Sequence, residues 1–273
     1  MRTKFIKQFG WYLLIAIVVI FVLFPIIWIF MISIKTQRDA FAMPPVWIYK
    51  PIWKNYIDVW TQDVFSRAFV NSFIVTMLGV LIAMVAAIPA AYMINEYSFK
   101  GKRAIELWML LSYMFPQFLF IIPIYLLYQK IGLYDTRIGL AIIYQVAALP
   151  FFVWLVRSFF NEVPKELRDA AKIDGCNQFQ ILYKIYVPLA APGIAATAIL
   201  TAIYIWNELV IALSLTFSNS KTVSVAISGF RGYTAINWGA MTAASIITII
   251  PMFIFALLAQ KYIVKGLTLG AIK

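Results

Sequence analysis

Residues 157–188 read RSFFNEVPKELRDAAKIDGCNQFQILYKIYVP, a polar segment set between two strongly apolar stretches. Pro164 suits the first turn of a helix, where no backbone N–H is needed. Glu166 and Asp169 place negative charge where the helix dipole is positive. Leu167, Ala170, Ala171 and Asp174 then share a face by spacing of three and four, and Gly175 can adopt the left-handed conformation that ends such a helix. A second helix is expected to open at Asn177, with Gln180 as its capping-box partner. Its apolar side would be Phe179, Leu182, Tyr183 and Tyr186, and Pro188 would lead into the next apolar stretch.

The surroundings of this segment define the medium. Of 273 residues, 63% are hydrophobic and 12% charged, whereas a soluble domain is about half apolar and a quarter charged. Six stretches of at least 19 residues lack Asp, Glu, Lys and Arg: 8–34, 68–95, 107–129, 138–156, 185–207 and 232–260. A bilayer core of about 30 Å is crossed by roughly 20 helical residues. The fifth span is expected to begin after Pro188 and to run past Glu208 to about Leu215. Alternation of the barrel-strand kind is missing, so the spans are read as helices. The first stretch exceeds the roughly 7–15 residues of a signal-peptide core and no small-residue cleavage site follows, which points to a retained anchor. The expectation is an all-α membrane protein with six transmembrane helices. It divides into 1–67, the N-terminal tail, first helix and first outer loop, and 68–273, a five-helix core that includes the loop 157–187.

An even number of spans puts both termini on one side. With that side inward, segments 1–10, 95–103, 157–187 and 261–273 hold 14 Lys and Arg in 63 residues, against 9 in 68 for the other loops. The positive-inside rule therefore assigns both termini to the cytoplasm. Gly79, Ala83, Ala87 and Ala91 recur every four residues on the second span, and Gly193, Thr197, Ala198 and Ala202 form a similar face on the fifth. Such faces permit close helix approach in lipid, or are simply small residues in a membrane helix. Prolines 25, 89, 116, 123, 150 and 251 interrupt the spans.

The chain is poor in catalytic equipment. It contains no histidine and one cysteine, Cys176, which excludes histidine-based metal sites, a Ser-His-Asp triad and an intrachain disulfide. No Gly-rich phosphate loop of the G-x-x-x-x-G-K-[ST] type is present. Two acids touch the spans: Glu106 at the start of the third, and Glu208 roughly 27 Å along the fifth by helical rise. Neither reaches the midplane, where a carboxylate would signal ion coupling. Gln117, Gln145, Asn207 and Glu208 are the polar candidates for lining a solute path. Trp47, Tyr49, Trp53, Tyr56 and Trp60, with Tyr233 and Trp238, could stack on sugars or form an interfacial aromatic belt.

On pattern alone the loop 157–187 admits three readings: a DNA-binding helix-turn-helix, for which a short loop between spans leaves little room, a bland connector, or a rigid knob that docks into a groove on a soluble partner. The run from Glu166 to Gly175, followed by Ile185-Tyr186-Val187-Pro188, resembles the Glu-Ala-Ala signature of ABC importer permeases. Asp169, Ala170 and Ala171 take its first three places, Gly175 its glycine, and Ile185 and Pro188 fall at the family spacing. Asp169 replaces a glutamate and Val187 a leucine. Asn71-Ser72, Trp206-Asn207-Glu208 and Lys265-Gly266-Leu267 are similar to the carbohydrate branch, in particular the smaller permease of maltose-type importers.

The resemblance implies a type I ABC importer permease fold and a translocation path for an oligo- or disaccharide delivered by an extracytoplasmic binding protein. It implies a second permease and two copies of a cytoplasmic ATPase as partners in the inner membrane, with no role for nucleic acid. This chain would bind no cofactor and would not be an enzyme, and ATP and Mg would be used by the ATPase. Glu166, Asp169, Ala170, Ala171, Asp174, Gly175 and Pro188 would be the ATPase-coupling residues. A secondary transporter or channel working without an ATPase is the alternative.

Overall fold

The computed structural model describes residues 2–114, 116–231 and 236–269, with the side chains of 2–7, 9 and 261–269 outside the description. Among the described residues the only extended pairing is an isolated bridge between Arg231 and Ile236. Among the described residues, three helices are long and apolar enough to cross a bilayer unbroken: Gly10–Ser33, Asp63–Glu96 and Trp238–Gln260. Three bent pairs complete six spans when each pair counts once. Arg137–Ile143 and Gln145–Asn161 meet at 50°, and Gln178–Leu189 and Ala191–Asn207 at 78°. The third pair, Lys102–Met114 and Gln117–Ile131, includes a short 3-10 turn at Gln117–Phe120.

Six apolar stretches thus become six spans, but not six straight helices. The fifth departs from expectation: its helix stops at Asn207, Glu208 is extended, and a short helix Val210–Leu215 follows. The break is stabilised locally, because the Glu208 carboxylate accepts the N–H groups of Ile211 and Ala212 at 2.8 and 3.0 Å. An acidic side chain at that point starts a new helix instead of riding through an old one.

The backbone divides into two compact units. One takes Met1–Ser66 with Ala226–Ile249, the other Arg67–Val225 with Ile250–Lys273. In the first unit the helix Arg2–Ser33 is exposed from Gly10 to Ile27, as befits a helix apolar on every side. Beyond it the chain folds around Lys35, which is buried, donates to Val46 O at 2.7 Å and lies 4.7 Å from the ring centre of Tyr49 and 5.7 Å from that of Trp28. Two aromatic faces and one carbonyl replace the water that this cation loses.

The second unit holds the larger core. Trp206, Tyr144, Tyr186, Phe152, Phe160, Leu140 and Ile181 are its largest fully enclosed side chains outside the 63–96 helix. The small-residue faces pack as spacing predicted. Ala83, Ala87 and Ala91 are completely buried, and a Cβ at Gly79 would lie 2.7 Å from Ile205 Cδ1. A Cβ at Gly193 would meet the Phe159 ring at 2.2 Å, so only glycine lets the 191–207 helix come this close to the 145–161 helix.

Candidate functional site

The helix Lys165–Ile173 begins after Pro164 and ends in a Schellman turn. Gly175 sits at φ +80°, its N–H donates to Lys172 O at 3.1 Å, and Cys176 N–H donates to Ala171 O at 2.9 Å. Asn177 and Gln180 then form the expected reciprocal capping box, 2.9 Å in each direction. Helix, glycine turn and helix are therefore all present at the residues that sequence nominated.

The second helix deviates. Leu182–Tyr186 forms a π-helical segment between two short α-turns. That wider turn changes the register, so the four expected apolar residues part company. Leu182 and Tyr186 enter the core, while Phe179 and Tyr183 remain exposed, tilted against each other with ring centres 4.4 Å apart.

A charged tether fixes this loop to the end of the Asp63–Glu96 helix. Arg168 pairs with Glu96 and also reaches Asp169 at 2.9 Å. The other Glu96 oxygen accepts the Tyr186 hydroxyl at 2.6 Å and the Asn95 amide at 3.0 Å. Tyr92, one turn earlier, donates to Gln178 at 2.8 Å and meets the Tyr186 ring edge-on at 5.0 Å. Contact with Glu96 and Asp169 outweighs partial desolvation and holds the Arg168 guanidinium well above its ordinary range. The contacts that join Glu96, Arg168, Tyr186 and Tyr92 were not legible in sequence, because the partners lie 72 to 90 positions apart. The visible signal was an acid closing an otherwise apolar span.

The tether orients the helix. Ala171 is buried in the chain's own core, whereas Leu167, Ala170, Ile173 and Asp174 face outward, Ile173 with 87% of its surface exposed. Glu166, Asp169, Gly175 and Pro188 are exposed as well. The result is a small apolar knob with an acidic border, rigidly mounted and open to a partner.

The path candidates gather around the end of the 191–207 helix, though not as one cluster. Gln145 donates to Gly79 O at 3.0 Å and Ala141 O at 2.8 Å, while its buried Oε1 has no partner within the protein. Gln117 donates to the Tyr204 hydroxyl at 2.7 Å and lines a cavity of about 30 Å³ with Ile143, Ile211 and Leu215. Glu208 is buried and occupied with the 210–215 helix. The Asn207 amide turns back to Ile203 O at 2.8 Å, with Met252 Sδ at 3.7 Å. Glu106, the other acid at a span end, forms an ion pair with Arg157 at 2.8 Å.

At the opposite end of the 63–96 helix lies a second ordered loop, 216–223. Asp135 accepts the N–H groups of Phe217, Ser218, Asn219 and Ser220 at 3.0 to 3.2 Å. Burial would raise its carboxyl, but these donors prevail and hold it far below the usual carboxylate range. Asn71 donates to Asn219 O and Lys221 O and accepts from Arg137, and Ser72 accepts from Val223 N–H.

Of the aromatic candidates, Trp47 leans on Trp28, Trp53 on Tyr56 and Phe30, and Trp238 on Phe41. Trp47, Trp53 and Trp60 are still half exposed or more. Tyr233 lies outside the described residues, as do the side chains of Lys265 and Leu267.

The family model described as "Binding-protein-dependent transport system inner membrane component" matches residues 79–269. Among curated relatives, the chain is 38% identical over 269 residues to the trehalose transport system permease protein SugB of Mycobacterium tuberculosis, covering 96% of this chain and 97% of that one. It is 35% identical over 277 residues to the trehalose/maltose transport system permease protein MalG of Thermococcus litoralis, covering 100% and 99%. Among solved structures, a chain of a bacterial ABC transporter involved in the import of the acidic polysaccharide alginate superposes with a TM-score of 0.78 at 26% identity, covering 96% and 98%. A chain of the MetNI methionine ABC transporter, at 18% identity, shares the fold with a TM-score of 0.61 over 74% of this chain and 95% of that one.

Proposed function

The chain belongs to the family of binding-protein-dependent transport system inner membrane components, and from that premise we propose that it forms, with a second permease, the path of an ATP-driven sugar importer. It is a multi-pass membrane subunit and not itself an ATPase. The observation that carries the reading is the loop helix Lys165–Ile173, anchored on one side through Arg168 and Glu96 and left open on the other. The names of the relatives, trehalose and maltose permeases among them, support a disaccharide or short oligosaccharide as cargo.

The chemistry of ATP and Mg belongs in this reading to two cytoplasmic ATPase subunits. Each ATPase would receive a loop helix in a cleft, so that nucleotide-driven closure moves the spans as rigid bodies. Both chain termini would then lie in the cytoplasm, in keeping with the distribution of Lys and Arg. Glu166, Asp169 and Asp174 would make polar contacts at the rim of the cleft, and Ala170 would allow close approach. Ala171 would seat the helix against its own core. Gly175 would shape the turn, and Pro188 would start the return into the membrane. Gln117, Gln145, Asn207 and Glu208 would border the path, and the Gln145 carbonyl oxygen, buried here without a partner in the protein, would accept a hydrogen bond from a sugar hydroxyl once movement of the spans uncovers it.

The test is a mild-detergent purification of the tagged chain from its native membrane, followed by reconstitution into liposomes with its companions. ATP-dependent uptake of labelled trehalose or maltose, lost when the 169–175 segment is altered, is the expected result. A chain that purifies alone and moves solute without ATP would overturn the proposal.

A further inference from the structure

A second concave feature is lined by none of the loop-helix residues and none of the path candidates. Ser98, Phe99, Gly101, Lys102, Arg103, Ala104, Glu106 and Arg157 line an opening of about 610 Å³. Three of these are cations and one is an acid, and the acid is already paired with Arg157. Lys102 makes a single long contact, to Tyr97 O at 3.2 Å. The Arg157 Nε is buried and has no partner within the protein. The site therefore has donors and positive charge in excess of what the chain itself satisfies, an arrangement that favours an anion.

Its depth identifies the anion. Three apolar stretches end here together: the second at Asn95, the third beginning at Leu107, and the fourth ending at Val156. Cations at the ends of spans lie at the level of lipid headgroups. Along the helix Lys102–Met114, whose first turn lines the opening, Ile105, Trp108 and Leu111 stand exposed at spacings of three, an apolar track that starts beside the lining residues Ala104 and Glu106. A free phosphate would satisfy the cations but would have no use for that track.

We propose that this opening is a binding site for the headgroup of an anionic phospholipid. Lys102 and Arg103 receive its phosphate, Arg157 adds positive charge from the wall of the opening, and its acyl chains lie along Ile105, Trp108 and Leu111. The site does not depend on which solute the protein carries, and its test reads lipid, not transport.

The experiment is native mass spectrometry of the full-length chain, with its co-purifying subunits, in mild detergent titrated with phosphatidylglycerol or phosphatidylethanolamine. Phosphatidylglycerol should be retained preferentially. Lys102→Gln and Arg103→Gln should each weaken that retention roughly fivefold, leaving phosphatidylethanolamine unaffected. Lys100→Gln is the control: the same charge in the same exposed loop, but not lining the opening. Ala104→Leu narrows the opening without altering charge and should weaken lipid retention too, which guards against a charge variant that fails to fold. Equal retention in wild type and pocket variants would overturn the site. So would a Lys100→Gln loss as large as that of Arg103→Gln, which would mean diffuse surface attraction. Displacement of the lipid by millimolar inorganic phosphate, with the variants losing phosphate binding, would replace the headgroup by a free anion and overturn the lipid assignment.

Discussion

Two loops are fastened to the same helix, Asp63–Glu96, by opposite means. Near its start, Asn71 and Ser72 hold the backbone of loop 216–223, helped by Asp135. At its end Glu96 holds the loop helix through Arg168 and Tyr186. Asn71 and Glu96 are separated by roughly 37 Å of helical rise. The 216–223 loop is gripped along its main chain, with four successive N–H groups spent on one carboxylate. The loop helix is gripped at one charged point and keeps its own backbone satisfied by helix and turn. A loop held by its backbone has a fixed outline. One held by a single side-chain network can present an entire free face.

If that contrast is right, the single charged point should be the more fragile. Arg168→Ala would leave the Glu96 carboxylate, whose side chain is 7% exposed, without its counter-ion. Breaking such a pair costs about 3 kcal/mol. A marked fall in the thermal midpoint of the purified assembly and loss of ATP-coupled uptake are the expected outcomes. The double variant Glu96→Gln, Arg168→Gln should cost clearly less than the sum of its parts, because the buried charge goes with its partner. Additive losses would show that the pair does not act as a unit.

The backbone clamp should respond less, and with a pH signature. Asp135 adopts φ 54°, a left-handed conformation that Asn tolerates as well as Asp. Asp135→Asn therefore keeps the backbone conformation but removes the charge and turns one accepting oxygen into an amide NH2 that faces N–H donors, a cost of about 2 kcal/mol. The sign of the pH effect follows from the lowered carboxyl. Its contribution is complete above the unfolded value, near pH 4, and is lost as pH falls below that toward the folded value. Acid unfolding should show this slope in the wild type and lack it in Asp135→Asn. Identical profiles would remove the clamp from the comparison.

The two loops also differ in how far sequence revealed them. Pro164, Gly175, Asn177 and Gln180 act on neighbours within five positions, so the helix, its Schellman turn and the capping box could be read directly. So could the six apolar stretches and the small faces at Gly79 and Gly193. The tether could not, since Arg168 finds Glu96 across 72 positions, nor could the clamp, where Asp135 reaches 82 to 85 positions ahead. The break at Glu208 was hidden for another reason. A carboxylate inside an apolar run reads as a residue in a helix until its bonds to Ile211 and Ala212 show that it starts one. Among the path candidates, type and approximate depth were legible, but not that Gln145 keeps a free oxygen while Asn207 folds back on its own helix.

Smaller effects sharpen the distinction between the mount and the surface it carries. A Cβ placed on Gly175 would meet no atom within 4 Å, but the residue sits at φ +80°, so substitution there costs conformation alone. Gly175→Val should destabilise by about 1 kcal/mol, lower uptake and leave the protein in the membrane, while Gly175→Asn should retain most activity. Equal loss with both would mean that the space around the turn is needed by the partner, not the backbone angle.

The smallest stability effect should accompany a large functional one at Ile173. This side chain is 87% exposed at the end of the loop helix, beyond the Arg168 tether and outside the core cluster. Ile173→Ser should change the thermal midpoint within the range of a neutral surface substitution, about 0.5 kcal/mol. If the exposed face is where the ATPase docks, burial of the isoleucine side chain in that contact stabilises it by about 2 kcal/mol. The Ser variant should then release ATPase during purification and hydrolyse ATP without uptake, although its own fold is untouched. The same test on Leu167, exposed one and a half turns earlier, would map the width of the contact. A variant that keeps both its ATPase and its uptake would leave the loop helix mounted, open and unused, and the contrast between the two loops would then describe packing alone.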